Sequence, residues 1–430
     1  MRSTDSHQRH AGLAADQLPR LLPADIGGEP LSLAEHLARY GPIGPAGADP
    51  WRREALIEEV DRAGLTGRGG AGFPAARKLA AVAAGHAPIV VANGTEGEPA
   101  SSKDKVLLAR SPQLVLDGAV LAARIVGASR AVVVVHHSVR EIVDAAAAER
   151  SRADSERIRI KVMTAADRFV AGEASAVVHW IEDGVPIPTS KPPRLSERGL
   201  GGRPTLVHNV ETLAQLALIA RYGASWFRAV GTPEQPGSML VTILGAVNQP
   251  RVHEIAIGTS VQEVLSLAGG ASAPLQALLL GGYFGSWVSA TAAADLPFSS
   301  AGLAILDADV GAGLIAALPE DACGLVETAR VVRYLADESA GQCGPCRFGL
   351  DAIAGEFQRL AEGRTSDLSL LRRWLGQVDG RGACRHPDGV VRLIRSALAV
   401  FGPELGQHAQ GWCCATRTAD VLPIPPRRQL

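Results

Sequence analysis

The chain has 430 residues, of which 47% are hydrophobic and 4% aromatic, and a formal net charge of −1. That length exceeds what one hydrophobic core usually serves, so about two to four domains are expected. The near-neutral charge gives no electrostatic reason to expect nucleic acid or an anionic membrane surface as a partner.

The N-terminus lacks the unbroken apolar run of a secretory signal, and no later stretch reaches about 18 apolar residues without a charge or a helix breaker. A soluble, cytoplasmic protein is expected. In that reducing setting six cysteines do not form a disulfide framework, and a C-x-x-C pair reads as metal binding or redox chemistry.

Residues 1–50 are rich in Pro, Gly and Ala and read as an extension with one short helix around 31–40. A helix follows over 51–64, ending at Gly64 as C-cap. Residues 67–72, GRGGAG, formally match G-x-G-x-x-G, but a helix rather than a strand precedes them, so the usual dinucleotide fingerprint is not met. Glycines before a helix still let backbone N–H groups approach a phosphate, with Lys78 one turn in as counter-charge. An ordinary glycine-rich turn is the alternative.

From 88 to 180, short β-branched runs such as PIVVAN and RAVVVVHH alternate with helix patterns, the sign of a parallel sheet covered by helices. ERSRADSER (149–157) reads as a solvated helix end and loop. NGTEGEPASSKDK (93–105) sets Asn93, Glu96 and Glu98 in a loop at a strand's carboxyl end, where α/β proteins place ligands; a solvated acidic turn is the other reading. The Pro/Gly-rich passage 183–205 is long enough to line a site, and VHNVET (207–212) offers Asn209 and Thr212 at a capped helix start. Residues from about 237 to 310 read as strand, turn, strand, helix, strand, a small α+β module of β-grasp type. After Cys323 the pattern is helical almost throughout.

ESAGQCGPCRFG (338–349) carries Cys343 and Cys346 in a C-x-x-C turn, and Cys384 follows 38 residues after Cys346. Three thiolates suit a cubane cluster with a non-cysteine fourth ligand, a three-iron cluster, or zinc with His386; buried inert thiols are the fourth reading. Cys323 stands alone and Cys413 and Cys414 are adjacent, and these three read as structural.

Taken together, GRGGAGFPAARKL, NGTEGEP, AGEAS, KPP, NVET, ESAGQCGPC and GRGAC resemble the flavin-binding subunit of NADH:quinone oxidoreductase and its relatives in NAD-linked hydrogenases and formate dehydrogenases, in order and spacing over about residues 50–405. The resemblance implies a fold class of α/β plus α+β plus all-α: after the extension 1–50, a Rossmann-like FMN domain at 51–236, a ubiquitin-like β-grasp domain (SLBB-like) at 237–318, a four-helix bundle carrying an iron–sulfur cluster at 319–410, and a tail at 411–430. It implies FMN held by Gly67, Gly69, Lys78, Asn93, Glu96, Gly172, Glu173, Asn209 and Thr212, with Thr95 where the family usually has Asp and His208 where it usually has Asn.

On the nicotinamide side the second of the family's paired acids is Ala174, the aromatic after K-P-P is Arg194, and the aromatic three residues beyond the lysine is Ala81; Phe73 is the remaining matched aromatic. Losing a carboxylate and gaining an arginine suits the extra charge of a 2′-phosphate, so NADPH is expected over NADH, with a protein electron donor as the rival. Cys343, Cys346 and Cys384 match the family's cluster ligands and Ala340 replaces the other one, leaving a 4Fe-4S cluster with a foreign ligand, a 3Fe-4S cluster or no cluster. The expected activity is electron transfer through FMN, as part of an NAD(P)H:acceptor oxidoreductase. Its partners would be ferredoxin-like or other iron–sulfur subunits, with membrane association only indirect, through a complex. A scaffold subunit that has lost the redox chemistry is the alternative from another class.

Overall fold

The computed structural model describes residues 13–25, 27–43, 53–153, 158–189, 192–364, 366–413, 415–417 and 419–426. Expectations for residues 1–12, for Lys191 of the KPP motif and for Cys414 lie outside them. A short helix α1 (Leu33–Tyr40), closed by a Ser32/Glu35 capping box, leads to α2 (Arg53–Ala63) and α3 (Ala75–Ala83). Gly64 ends α2 with φ +71, a conformation that suits glycine.

The first sheet is made of β1 (Ile89–Gly94), β2 (Arg130–Val135), β3 (Arg159–Thr164) and β4 (Thr205–Asn209), all parallel, in the order β3-β2-β1-β4. Its helices are α4 (Lys103–Arg110), α5 (Pro112–Val126), α6 (Arg140–Ala153), α7 (Ala174–Asp183) and α8 (Val210–Phe227). The run of Val and Ile in β1 and β2 is buried on both faces, as a sheet sandwiched by helices requires. Helices α5 and α8 cross closely because Gly118 has no side chain: a Cβ there would stand 1.9 Å from Leu213 O. Successive strands step outward from β1 to β3, and β4 then returns to the other side of β1. The strand order therefore reverses between β1 and β4, which is where open α/β sheets form a ligand crevice.

The second sheet comprises β5 (Ser238–Gly245), β6 (Arg251–Ala256), β7 (Leu275–Leu280), β8 (Ser286–Ser289) and β9 (Leu314–Pro319), ordered β6-β5-β9-β7-β8. β5 and β9 are parallel and the other pairs antiparallel. Helices α9 (Val261–Leu267), α10 (Ala290–Ala293) and α11 (Ser300–Leu303) lie between its strands in the chain. Alternation along β9 divides the burial: Ile315 and Ala317 join the core containing Val261 and Val264 of α9, while Leu314, Ala316 and Leu318 join the core of the C-terminal helices.

Those helices are α12 (Gly324–Asp337), α13 (Leu350–Ala361), α14 (Leu368–Val378), α15 (His386–Val400) and the short α16 (Leu405–Ala409). α12 packs on α13 and α15, and α14 on the same two, closing a ring of four. No single helix among the described residues is long and apolar enough to cross a membrane; the bent pair α4–α5 meets the length test, but nearly all of α5 is buried in the core.

Four elements differ from the sequence reading. Lys103–Arg110, read partly as loop, is α4, and Thr205–Asn209, read only as the approach to a helix, is β4. β8, only four residues long, and β9, six residues ending in Pro319, were not expected. For three of them the stabilising partner is remote in sequence: β4 exists through its register with β1, β9 through its pairing with β5 and β7, and α4 through a buried ion-pair network described below, whereas β8 forms a local hairpin with β7.

Candidate functional site

Asn93, next to last in β1, and Asn209, last in β4, are partners in register across the point where the strand order reverses. Asn93 Nδ2 donates to Gly172 O at 3.0 Å, tying β1 to the segment before α7. Asn209 Nδ2 donates to Asp104 Oδ2 at 2.6 Å and to Asn93 O at 3.3 Å, while its Oδ1 caps α8 by accepting from Glu211 N.

The glycine turn 67–73 folds over this crevice. Gly67 N donates to Phe73 O at 2.9 Å, and Arg68 N donates to Thr212 Oγ1 at 2.9 Å, so the first turn of α8 fixes the loop. A Cβ on Gly69 would sit 3.4 Å from Asn209 Cβ, whereas a Cβ on Gly72, where φ is +58, would meet nothing within 4 Å. α3 then begins after Pro74, with no side chain capping its N–H groups. Lys78, one turn in, donates to Val207 O at 3.0 Å and lies 5.9 Å from the Phe73 ring, itself 47% exposed. Ala75 N is taken by Leu65 O at 2.9 Å, and the helix N–H groups after it, the open space and a lysine make a fitting cradle for a phosphate, with the exposed ring as an apolar platform beside it. Two buried polar atoms flanking the crevice in sequence, Thr95 Oγ1 and His208 Nε2, have no hydrogen-bond partner in the protein. Burial and the charge of Lys78 push His208 down to about 3.

The carboxylates have more structural work than their motifs suggest. Glu96, at φ +46, accepts from Ser101 Oγ, Asp104 N and Lys105 N, which fastens the start of α4. Its pKa is raised, mainly by burial and next by Asp104. Glu173 caps α7, accepting from Ser175 N at 2.7 Å and Ala176 N at 3.1 Å. Glu98 accepts from Tyr283 N at 2.8 Å, and burial lifts it to about 7. Lys103 is buried between Asp104 (2.7 Å) and Glu211 (2.8 Å). Desolvation opposes its charge, but the two carboxylates outweigh it and raise the pKa. Glu211 also accepts from Leu240 N at 3.0 Å, so this network joins α4, α8 and β5.

On the helical side, Cys343 precedes a π-helical turn, Pro345–Gly349, that contains Cys346, and Cys384 lies just before α15. The three thiols feel one another electrostatically. Cys346 is pushed up to about 12, by burial first and then by Cys343 and Cys384. Burial would also raise Cys343, but N–H groups of Ala383 and Cys346 donate to its sulfur and hold it below the ordinary value. Such N–H···S contacts favour the thiolate that an iron–sulfur cluster needs. The set fits a cluster in three ligands, and Ala340 supplies none. His386 Nε2 donates to Leu335 O at 2.7 Å, its Nδ1 is buried without a partner, and burial lowers it to about 4. Zinc at these residues loses support, because among the described residues the His, Cys and carboxylate ligand atoms that converge within 4.8 Å in a group of three are those of Cys323, His408 and Cys413.

The segment between β3 and α7 joins the two halves. Phe169 N donates to Glu338 Oε2 at 2.9 Å and Arg168 Nη2 to Ser339 O at 3.3 Å, both just before Ala340. The Phe169 ring meets Phe284 at 4.7 Å and His386 at 5.7 Å between centroids. A few residues on, Glu173 lies close enough to Cys384 for its charge, after burial, to raise that thiol. Sequence reasoning missed Arg168, Phe169 and Glu338, which carry no motif, and it left Cys323 and Cys413 unconnected. The spacing from His408 to Cys413 was the available signal for that pair. Of the positions expected on the nicotinamide side, Ala81 and Arg194 are exposed and Ala174 is the first residue of α7.

A phosphate cradle at the reversal point of a parallel sheet, set beside three cysteines brought together at helix ends, defines a protein built to hold a phosphate-bearing ligand next to a thiolate-ligated centre. Comparison with known proteins agrees. Residues 60–218 match the family model of the Nuo51 FMN-binding domain, 240–281 that of the SLBB domain, and 327–408 that of the NADH-ubiquinone oxidoreductase-F iron-sulfur binding region. The second F-type chain of the NADH-quinone oxidoreductase of Rhizobium meliloti is 28% identical over 91% of this chain and 94% of its own, and the F-type chain of the same enzyme from Rickettsia felis 29% over 84% and 90%. Among solved structures, an NAD+-reducing [NiFe]-hydrogenase in the air-oxidized state superposes with TM-score 0.77 and 32% identity over 83% of this chain. This chain spans 63% of that hydrogenase chain. The chain belongs to the family of flavin-binding, iron–sulfur subunits of NADH-quinone oxidoreductase.

Proposed function

We propose that this chain passes electrons between NADPH and an iron–sulfur partner subunit through FMN, with a cluster held by three cysteines. The observation that carries the reading is the junction just described: the segment with Gly172 and Glu173 on the crevice side packs, through Phe169 and Arg168, on the loop that leads into Cys343. The domains proposed are a Rossmann-like unit at 51–236, a β-grasp unit at 237–318 and a four-helix unit at 319–410.

In this reading the uncapped start of α3, with Lys78, receives the flavin phosphate. Asn93 and Asn209 border the ring and ribityl chain with Gly67, Gly69, Gly172 and Thr212, and the backbone of 93–97, kept in place by the Glu96 contacts, forms the wall. When bound, FMN supplies the exchange between two-electron and one-electron carriers. Phe73 offers its exposed face to the dinucleotide. Ala174 withholds the second acid that would repel a 2′-phosphate, and Arg194 supplies a charge to attract it.

The test is an anaerobic preparation assayed for flavin, iron and sulfide, followed by NADPH or NADH. Flavin bleaching that is faster with NADPH is the expected result. A flavin that neither nucleotide reduces would overturn the nicotinamide half and leave a protein donor. A colourless, iron-free protein would overturn the whole reading in favour of a scaffold.

A further inference from the structure

Away from the flavin crevice and the cluster loop, three sulfur and nitrogen ligands meet at the far end of the helical ring. Cys323 is the N-cap of α12, its Sγ accepting from Val326 N at 3.4 Å at the start of a 14-residue helix. His408 of α16 is 1% exposed, and its Nδ1 stands 2.7 Å from Ala361 O. That contact requires the proton on Nδ1, so the lone pair of Nε2 points at Cys323 Sγ, 3.4 Å away. A histidine oriented by a backbone carbonyl through its other nitrogen is the usual arrangement of a metal ligand. Cys413 brings a second sulfur, and the three ligand atoms all lie within 4.8 Å of one another. Glu404, one helical turn before His408, holds Oε2 4.0 Å from Cys323 Sγ.

We infer that Cys323, His408 and Cys413 bind a single zinc ion through two sulfurs and one nitrogen, with Glu404 beside the site and the fourth position open to water. Zinc bonds of about 2.3 Å to sulfur and about 2.0–2.1 Å to nitrogen set the two atoms roughly 3.5 Å apart in a tetrahedral site, close to the separation between Cys323 and His408. A cubane is excluded by the same compactness, since its terminal ligands sit on different irons and spread further apart. A plain S–H···N hydrogen bond would explain Cys323 and His408 but gives Cys413 no reason to be there.

The ion would clamp the tail where it leaves the ring. Beyond Cys413 the chain runs back along the molecule: Thr416 N and Arg417 N donate to Asp321 O, Val421 N and Leu422 N donate to Glu327, and Leu422 is buried. The site thereby ties the start of α12 to α16 and to a segment that otherwise has no regular structure.

The experiment measures zinc and iron together in the purified full-length chain, after incubation with zinc chloride and desalting, for wild type, Cys413→Ser, His408→Gln and Cys343→Ser. About one tightly held zinc per chain is expected in wild type, lost in Cys413→Ser and His408→Gln with iron unchanged, and retained in Cys343→Ser. Because Cys413 is exposed, its serine variant reads the site without disturbing the core. A wild type that holds no zinc, zinc that persists in both ligand variants, or zinc that disappears with Cys343 would each overturn the assignment. The zinc count does not depend on flavin or nucleotide, so it stands or falls separately from the electron-transfer reading.

Discussion

Gly97 joins the two walls of the flavin crevice. A Cβ at this position would lie 2.6 Å from Phe169 O and 2.9 Å from Arg168 O, both backbone atoms, where ordinary contacts begin near 3.4 Å. The shortfall is roughly 0.8 Å, which forces the loop after β1 away from the segment before α7. Overpacking of this kind costs about 1–3 kcal/mol. Since Gly97 is not among the glycines with positive φ, alanine adds no backbone strain and the whole effect is steric. If the displacement is borne by the crevice, FMN affinity in Gly97→Ala falls about fivefold to over a hundredfold, at about 1.4 kcal/mol per factor of ten. Flavin fluorescence quenching on titration into the apoprotein measures it. Gly184→Ala is the control: φ is +70 and nothing lies within 4 Å of the new Cβ, so it costs backbone strain of about 1 kcal/mol far from the crevice and leaves FMN affinity unchanged. An FMN affinity in Gly97→Ala within about twofold of wild type would refute the argument that these two loops are held at contact distance to form the site.

Three further outcomes are expected. Lys78→Ala weakens FMN by about tenfold or more but leaves riboflavin, which has no phosphate, bound as in wild type; equal losses for both would show that Lys78 acts through the fold. His208 refuses a proton until about pH 3, whereas the unfolded chain takes one up near 6.5, so its contribution to stability is complete above 6.5 and is lost as the pH falls toward 3. His208→Asn flattens that part of the urea-midpoint profile, and an unchanged slope would mean that the histidine is not buried neutral. Ala340→Cys offers the missing thiolate, so iron per chain rises by about a third and the paramagnetic signal of an oxidised three-iron cluster is lost; unchanged iron and an unchanged signal would exclude a cluster open at residue 340.

The parallel sheet was legible because buried strands are written as continuous Val and Ile, and the glycine turn because a close backbone approach requires glycine. Asn93 and Asn209 could be picked out singly, but their pairing depends on β4 returning beside β1, and β4 is five residues whose partner lies more than a hundred positions away. α4 was read as loop for the same reason, since Lys103 and Asp104 look solvated until Glu211 is brought to them. Glu96 and Glu173 read as ligand carboxylates, and in the fold they also fasten helix starts, a second role that no local pattern announces. Cys323 and His408 are 85 residues apart, so no local pattern connects them.

The joint between the two sheets has a consequence for how the chain can be divided. Glu98 and Glu211 belong to the flavin side, but each accepts an N–H from the other sheet, Tyr283 and Leu240. A fragment ending near residue 236 would therefore present two acidic groups that have each lost one N–H donor, while Glu211 keeps Lys103 and Glu98 keeps Ala100 N. A module exchange at that boundary is therefore expected to keep its stability only when the loop bearing Glu98 travels with the turn bearing Tyr283.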